Sequence, residues 1–148
     1  MKNTVFDSTV FNLDCMKVMP VYEDNYFDIA IVDPPYGGIL NKKVGHGKLK
    51  ESLARHGGGD WDYPPEEKYF QELFRISKNQ IIWGGNYFID KIKKPSSCWI
   101  VWNKLNGKSH YADCELAWTS FTTATRMHEQ SVQSVSYTHL TLPTILRV

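Results

Sequence analysis

Along the chain, apolar residues come in short dense runs separated by polar, proline- or glycine-bearing stretches. Thr9-Val10-Phe11-Asn12-Leu13 predicts a first strand ending at Asp14-Cys15, and Met16–Met19 fits a brief helical turn stopped by Pro20. Phe27-Asp28-Ile29-Ala30-Ile31-Val32 is a nearly continuous β-branched run. Such a run suits a strand buried on both faces, and the two prolines of Asp33-Pro34-Pro35-Tyr36 end it. Pro64-Pro65-Glu66-Glu67 predicts a helix N-terminus, where a missing N–H costs nothing and carboxylates meet the positive end of the dipole. Tyr69, Phe70, Leu73, Phe74 and Ile76 follow at helical spacing and give one apolar face. Gln80-Ile81-Ile82-Trp83, closed by Gly84-Gly85, predicts the next strand. Cys98-Trp99-Ile100-Val101-Trp102 and Glu115-Leu116-Ala117-Trp118 predict two more, joined through Asn106-Gly107 as a hairpin. Strand, helix, strand in that order predicts an α/β sheet.

Residues 37–60 interrupt this pattern. They hold seven of the ten glycines and five basic residues against two acidic ones, with no apolar period. A loop of this length inside a compact domain is usually functional or disordered, so a mobile loop is expected here. Its Lys42, Lys43 and Lys48 are candidates for phosphate contacts, with a merely solvated loop as the alternative. Beyond Trp118 the pattern decays, and residues 122–148 predict an irregular tail.

Composition narrows the picture further. The 148 residues suit one domain, and a formal net charge of +1 neither demands nor excludes nucleic acid. Aromatics at 14%, five of them Trp, suit an aromatic core and also a site that stacks flat bases. Three cysteines, with no Cys-x-x-Cys pair, indicate neither a zinc site nor a disulfide framework, so no metal is expected and a reducing cytoplasmic setting is. Met1-Lys2-Asn3-Thr4 opens no apolar signal run and nothing approaches a membrane span, which predicts a soluble protein without a membrane partner.

The chemistry concentrates in Asp33-Pro34-Pro35-Tyr36. In open α/β sheets ligands bind outside the carboxyl ends of parallel strands, where Asp33 falls. The amino group of a nucleobase is a poor nucleophile because its lone pair is delocalised into the ring. Accepting its two N–H groups on a carboxylate and a carbonyl draws the nitrogen towards a tetrahedral, reactive shape. Asp33 offers the carboxylate, and Pro34 a carbonyl with no competing N–H. Rigid prolines, Pro35 included, hold both acceptors, so the gain comes from orientation and preorganisation. Tyr36 offers a flat face for an extruded base. In isolation, the same four residues also suit a rigid surface turn.

Asp-Pro-Pro-Tyr after an apolar strand resembles the catalytic motif of the N6-adenine and N4-cytosine DNA methyltransferases. The resemblance extends through Asn12-Leu13-Asp14-Cys15-Met16, Glu72–Trp83, Gly84-Gly85-Asn86-Tyr87-Phe88, Trp99–Lys104 and Glu115–Phe121. It looks nearest to phage and restriction-modification members, in which the catalytic motif precedes the glycine-rich cofactor loop. It implies a partial Rossmann-like class I methyltransferase sheet over residues 1–121, with mostly parallel strands and a C-terminal antiparallel hairpin. It implies a site-specific DNA methyltransferase that moves a methyl group from S-adenosylmethionine to the N6 amino group of a flipped-out adenine. Double-stranded DNA is then the partner, with a restriction endonuclease as a companion. On this resemblance Asp33, Pro34, Pro35 and Tyr36 are catalytic, and Asp14, Cys15 and Asp33 contact the cofactor. Trp83, Asn86 and Tyr87 line the base pocket, with Lys42, Lys43 and Lys48 on DNA. A solvated carboxylate is the competing assignment for Asp14, and core packing for Trp83. Asp rather than Asn at position 33 favours a nucleobase amine over the protein-glutamine relatives. N4-cytosine methylation stays as an alternative, although Ser-Pro-Pro-Tyr is the form more typical of those enzymes.

No Gly-x-Gly loop follows a strand after residue 121. The turn that the family uses for the cofactor is therefore expected to be missing, the sheet to have open edges, and the chain to be C-terminally truncated and inactive as it stands. Ser134-Val135-Ser136-Tyr137-Thr138-His139-Leu140-Thr141-Leu142-Pro143-Thr144 resembles translated sequencing-adapter read-through, so residues 131–148 are expected to be artefactual. A non-catalytic nucleic-acid-binding remnant is the second alternative.

Overall fold

The computed structural model describes residues 9–36, 63–107, 112–131 and 144–146. The expected loop at 37–60, with Lys42, Lys43 and Lys48, lies outside them, as does most of 131–148. Asp14 opens the described fold by capping a short helix, α1 (Cys15–Val18): its Oδ1 accepts the Met16 N–H at 2.9 Å. A 3₁₀ turn at Met19–Val21 follows, then strand β1 (Phe27–Val32). Helix α2 (Glu67–Ile76) runs straight into β2 (Ser77–Trp83), and β1 and β2 pair in parallel, with Phe27 opposite Ser77 and Val32 opposite Ile82. A parallel pair needs a crossover connection, and α2 provides it. After a 3₁₀ turn at Gly85–Tyr87 and the short α3 (Ile89–Ile92) come β3 (Trp99–Asn103), β4 (Cys114–Thr119) and β5 (Arg126–Glu129). The short β6 (Thr144–Leu146) completes an α/β sheet of strand order β5-β3-β4-β2-β1-β6.

This sheet is mixed, which corrects the expectation of mostly parallel strands. β1 with β2 and β3 with β5 are parallel, whereas β4 opposes both β2 and β3, and β6 opposes β1. The hairpin accounts for the middle of the sheet: β4 folds back on β3 and inserts between β3 and β2, so β2 and β3, which run the same way, are not neighbours. Two further expectations change. Thr9–Leu13 forms no strand; its Val10, Phe11 and Leu13 are exposed, and it has no ladder partner among the described residues to satisfy an extended backbone. The tail is not wholly irregular, since β5 and β6 fall within 122–148, and β6 pairs with β1 on the side away from β2.

The core lies on one face of the sheet. Tyr69, Phe70, Leu73 and Ile76 of α2 are buried against Ala30, Val32, Ile82 and Trp118, with Phe88 and Ile92 closing the end. On the other face Ile29, Ile31 and Ile81 are only half-buried, so β1 is not enclosed on both sides as its composition suggested. Arg75 ties the segment before β1 to the end of α2. Its guanidinium donates to the carbonyls of Tyr22 (2.8 Å) and Met19 (3.2 Å) and to the carboxylates of Asp24 and Glu72, both at 2.8 Å. At the helix–strand junction the Ser77 hydroxyl donates to the Leu73 carbonyl at 2.5 Å, satisfying one of the carbonyls that a helix end leaves open.

Candidate active site

β1, β2 and β3 run in one direction, so their carboxyl ends share one edge of the sheet, and the antiparallel β4 begins at that edge. Asp33 is the residue after β1, Gly84 follows β2, Lys104 follows β3, and Glu115 stands near the start of β4. Pro34 is buried and Asp33 is open to solvent, so the motif anchors its proline and presents its carboxylate.

Tyr36 turns back onto this edge, and its hydroxyl donates to Asp33 Oδ1 at 2.9 Å. Its ring centre lies 4.9 Å from that of Tyr87 and 6.0 Å from that of Phe88. The ring is admitted by Gly84. A Cβ there would stand 2.1 Å from Tyr36 Cε1, and the φ of +63° is itself left-handed, a region that favours glycine. Gly85 meets a second, harder constraint, because a Cβ would stand 2.4 Å from the Trp118 Cβ and 3.0 Å from its backbone nitrogen. Trp118 is fully buried and cannot give way. Gly85→Ala is therefore expected to destabilise the fold by roughly 1–3 kcal/mol through overpacking, measured by urea denaturation.

Electrostatics at this edge raise the proton affinity of both groups. Partial desolvation raises the Asp33 carboxyl above its ordinary value, the Tyr36 hydrogen bond pulls it down, and the negative charge of Glu115 raises it further. Tyr36 is pushed well up by burial and then by the Asp33 charge, so the phenol keeps its proton and acts as donor in the bond between them. Glu115 is paired with Lys104, whose ammonium also lies 5.7 Å from the centre of the Trp102 ring. Removing the Glu115 charge by Glu115→Gln should move the Asp33 titration midpoint to lower pH. Carboxyl ¹³C NMR reads this directly, and an unmoved midpoint would show that Glu115 does not act on Asp33.

Of the residues expected from the sequence, the structure brings Asp33, Pro34, Pro35, Tyr36 and Tyr87 to this edge. Asn86 lies exposed in the same 3₁₀ turn as Tyr87. Trp83 is half-buried on the face away from α2 and packs edge-on to Trp102 at 6.4 Å. Asp14 is occupied as a helix cap, and Cys15 is half-buried against the core, where its burial raises the thiol's proton affinity. Sequence reasoning missed Gly84 as a platform and the Lys104–Glu115 pair. The Gly-Gly step after an apolar strand was a signal for the first. For the second, the hairpin register that sets Trp102 opposite Glu115 was the only clue.

Among the described residues no group of three His, Cys, Asp or Glu side chains is placed to hold a metal ion, and no helix is long and apolar enough to cross a membrane. The chain matches no protein-family model and no curated protein.

Proposed function

We propose that this chain carries the target-base half of a Rossmann-like, site-specific DNA methyltransferase acting on the N6 amino group of adenine. One observation carries the reading: the Asp33–Tyr36 turn stands at the carboxyl end of a parallel strand, its carboxylate open to solvent and its tyrosine bonded back to it. A solvent-exposed carboxylate beside a buried, rigid proline would offer an incoming amine a held acceptor in Asp33, with the Pro34 carbonyl as the second. Tyr36 and Tyr87 supply aromatic surface for a flipped base. Lys42, Lys43 and Lys48 are the proposed contacts to phosphate, and Trp83 and Asn86 flank the base. Double-stranded DNA is the partner, in a cytoplasmic restriction-modification or phage setting with a companion endonuclease.

The donor set fits a cationic methyl donor. Asp33 is a carboxylate open to solvent, and the neighbouring Tyr36 and Tyr87 rings present π-faces that favour positive charge. S-adenosylmethionine supplies, when bound, a methyl group already activated on a sulfonium. Asp33 would face it, with Asp14 and Cys15 as outer contacts. Asp33 and Pro34 polarise the amine, Tyr36 orients the base, and Asp33 is the group placed to take up the proton that the amine loses.

A methylation assay of the full-length protein tests this. With unmethylated DNA and labelled S-adenosylmethionine, nucleoside mass spectrometry should find N6-methyladenine, and Asp33→Ala should abolish it. Label on cytosine N4 would move the reading to the cytosine enzymes. A folded protein that binds DNA but neither takes up cofactor nor transfers label would leave the non-catalytic remnant as the better reading.

A further inference from the structure

We infer that Tyr36 is a positioning residue through its hydroxyl: by holding Asp33 Oδ1 it leaves the second carboxylate oxygen to face the amine, and Gly84 is the gap that admits its ring. This rests on the methyltransferase reading and adds to it, because a ring that only stacks on a base needs no hydroxyl. The geometry separates the two roles. The phenol oxygen lies 2.9 Å from Oδ1, within O–H···O hydrogen-bond range, while the ring is wedged beside Tyr87 at 4.9 Å between centres. The wedge depends on the absence of a side chain at Gly84, where a Cβ would collide with Cε1, Cζ and the phenol oxygen together, at 2.1, 2.6 and 2.8 Å.

A carboxylate has two oxygens on a broad, nearly two-fold torsion, so unheld it presents either one over a range of angles. Fixing Oδ1 removes that freedom. The tyrosine keeps its proton, so the bond has a fixed direction: Tyr36 donates and Asp33 accepts. The described residues give Oδ2 no competing donor. One acceptor of set orientation then meets one N–H of the amine, and the Pro34 carbonyl takes the other.

Tyr36→Phe removes one oxygen and keeps the ring. In the folded chain, the Asp33 midpoint, read by carboxyl ¹³C NMR, should move to higher pH in this variant, because the bond that favours the charged carboxylate is gone. A backbone spectrum that otherwise superimposes on the parent shows that the fold is kept. An unmoved midpoint in the folded variant overturns the inference. Should the variant not fold, the parent chain decides: with ¹³Cζ-labelled tyrosine, the Tyr36 signal should follow the Asp33 titration, and a flat signal overturns the contact. Neither titration needs DNA or cofactor, so their failure removes the hydroxyl's role without touching the methyltransferase reading. Absence of methyl transfer removes that reading while leaving the contact in place. In the methylation assay Tyr36→Phe should carry the acid limb of kcat/KM to higher pH, whereas a uniform fall at every pH would mark a stacking role alone.

Discussion

Asp33→Asn is expected to lower methyl transfer by a factor of roughly 10²–10³, in line with the loss of one preorganised electrostatic partner at a reacting centre. Asparagine keeps the shape and still accepts from the Tyr36 hydroxyl, so on the proposed reading what is lost is the negative charge that draws the amine towards a reactive geometry. The same substitution should affect stability in the opposite sense. The folded-state proton affinity of Asp33 is raised, first by partial desolvation. Its contribution to stability is therefore full below the ordinary carboxylate range and is lost as pH rises through the folded value. Asparagine has no such loss, so the variant's thermal midpoint should match the parent at acid pH and exceed it at neutral pH. The gain is small, because solvent reaches the carboxylate. Activity lost with stability gained is the pattern of a group kept for chemistry. A folded Asp33→Asn protein that methylates DNA at the parent rate would end the proposal.

Phe70→Ala should be among the most damaging changes to the fold, costing about 3–5 kcal/mol, as deletion of a fully buried aromatic ring does. A domain of this size has only ~5–15 kcal/mol in total. The ring of Phe70 sits 5.2 Å from Tyr69, edge-on, and 5.4 Å from Phe88. Phe88 in turn neighbours Tyr36, so the cavity opens beneath the candidate site as well as beneath the helix. Denaturant titration measures the loss, and a change under 1 kcal/mol would mean that the ring is not packed as described.

Legibility in the sequence followed locality. β1, α2 and the hairpin were readable because each carries its own periodicity: a β-branched run, apolar residues at helical spacing, and aromatic strands flanking Asn106-Gly107. β5 was not readable, since Arg126, Met127, His128 and Glu129 are all exposed and the strand is held by its backbone ladder to β3 and by the bond from Trp102 Nε1 to the Gln130 carbonyl, 2.9 Å. Thr9–Leu13 failed for the converse reason, having strand-like residues and no ladder partner among the described residues. In the site, Asp33 and Tyr36 stood out because the motif is contiguous. Glu115 and Gly84 did not, because what brings them to Asp33 and Tyr36 is the sheet register, which pairs segments far apart in the chain.

The absence of any linker between α2 and β2 bears on that register. Ile76 is the last helical residue and Ser77 the first of the strand. Ser77 is bonded back to Leu73, and the Gln80 amide bonds to both the carbonyl and the hydroxyl of Ser77, at 2.6 and 2.9 Å. A strand that slips by one residue exchanges its two faces, and a flexible connection would tolerate such a slip. Here the buried helix fixes where β2 starts, with no slack to absorb an error. Counting along the strand from that fixed origin sets Gly84, rather than Trp83 or Gly85, against the Tyr36 ring. The helix thus acts as a ruler for a contact at the far end of the strand, and inserting a single residue between Ile76 and Ser77 would misplace the site while leaving every one of its side chains in the sequence.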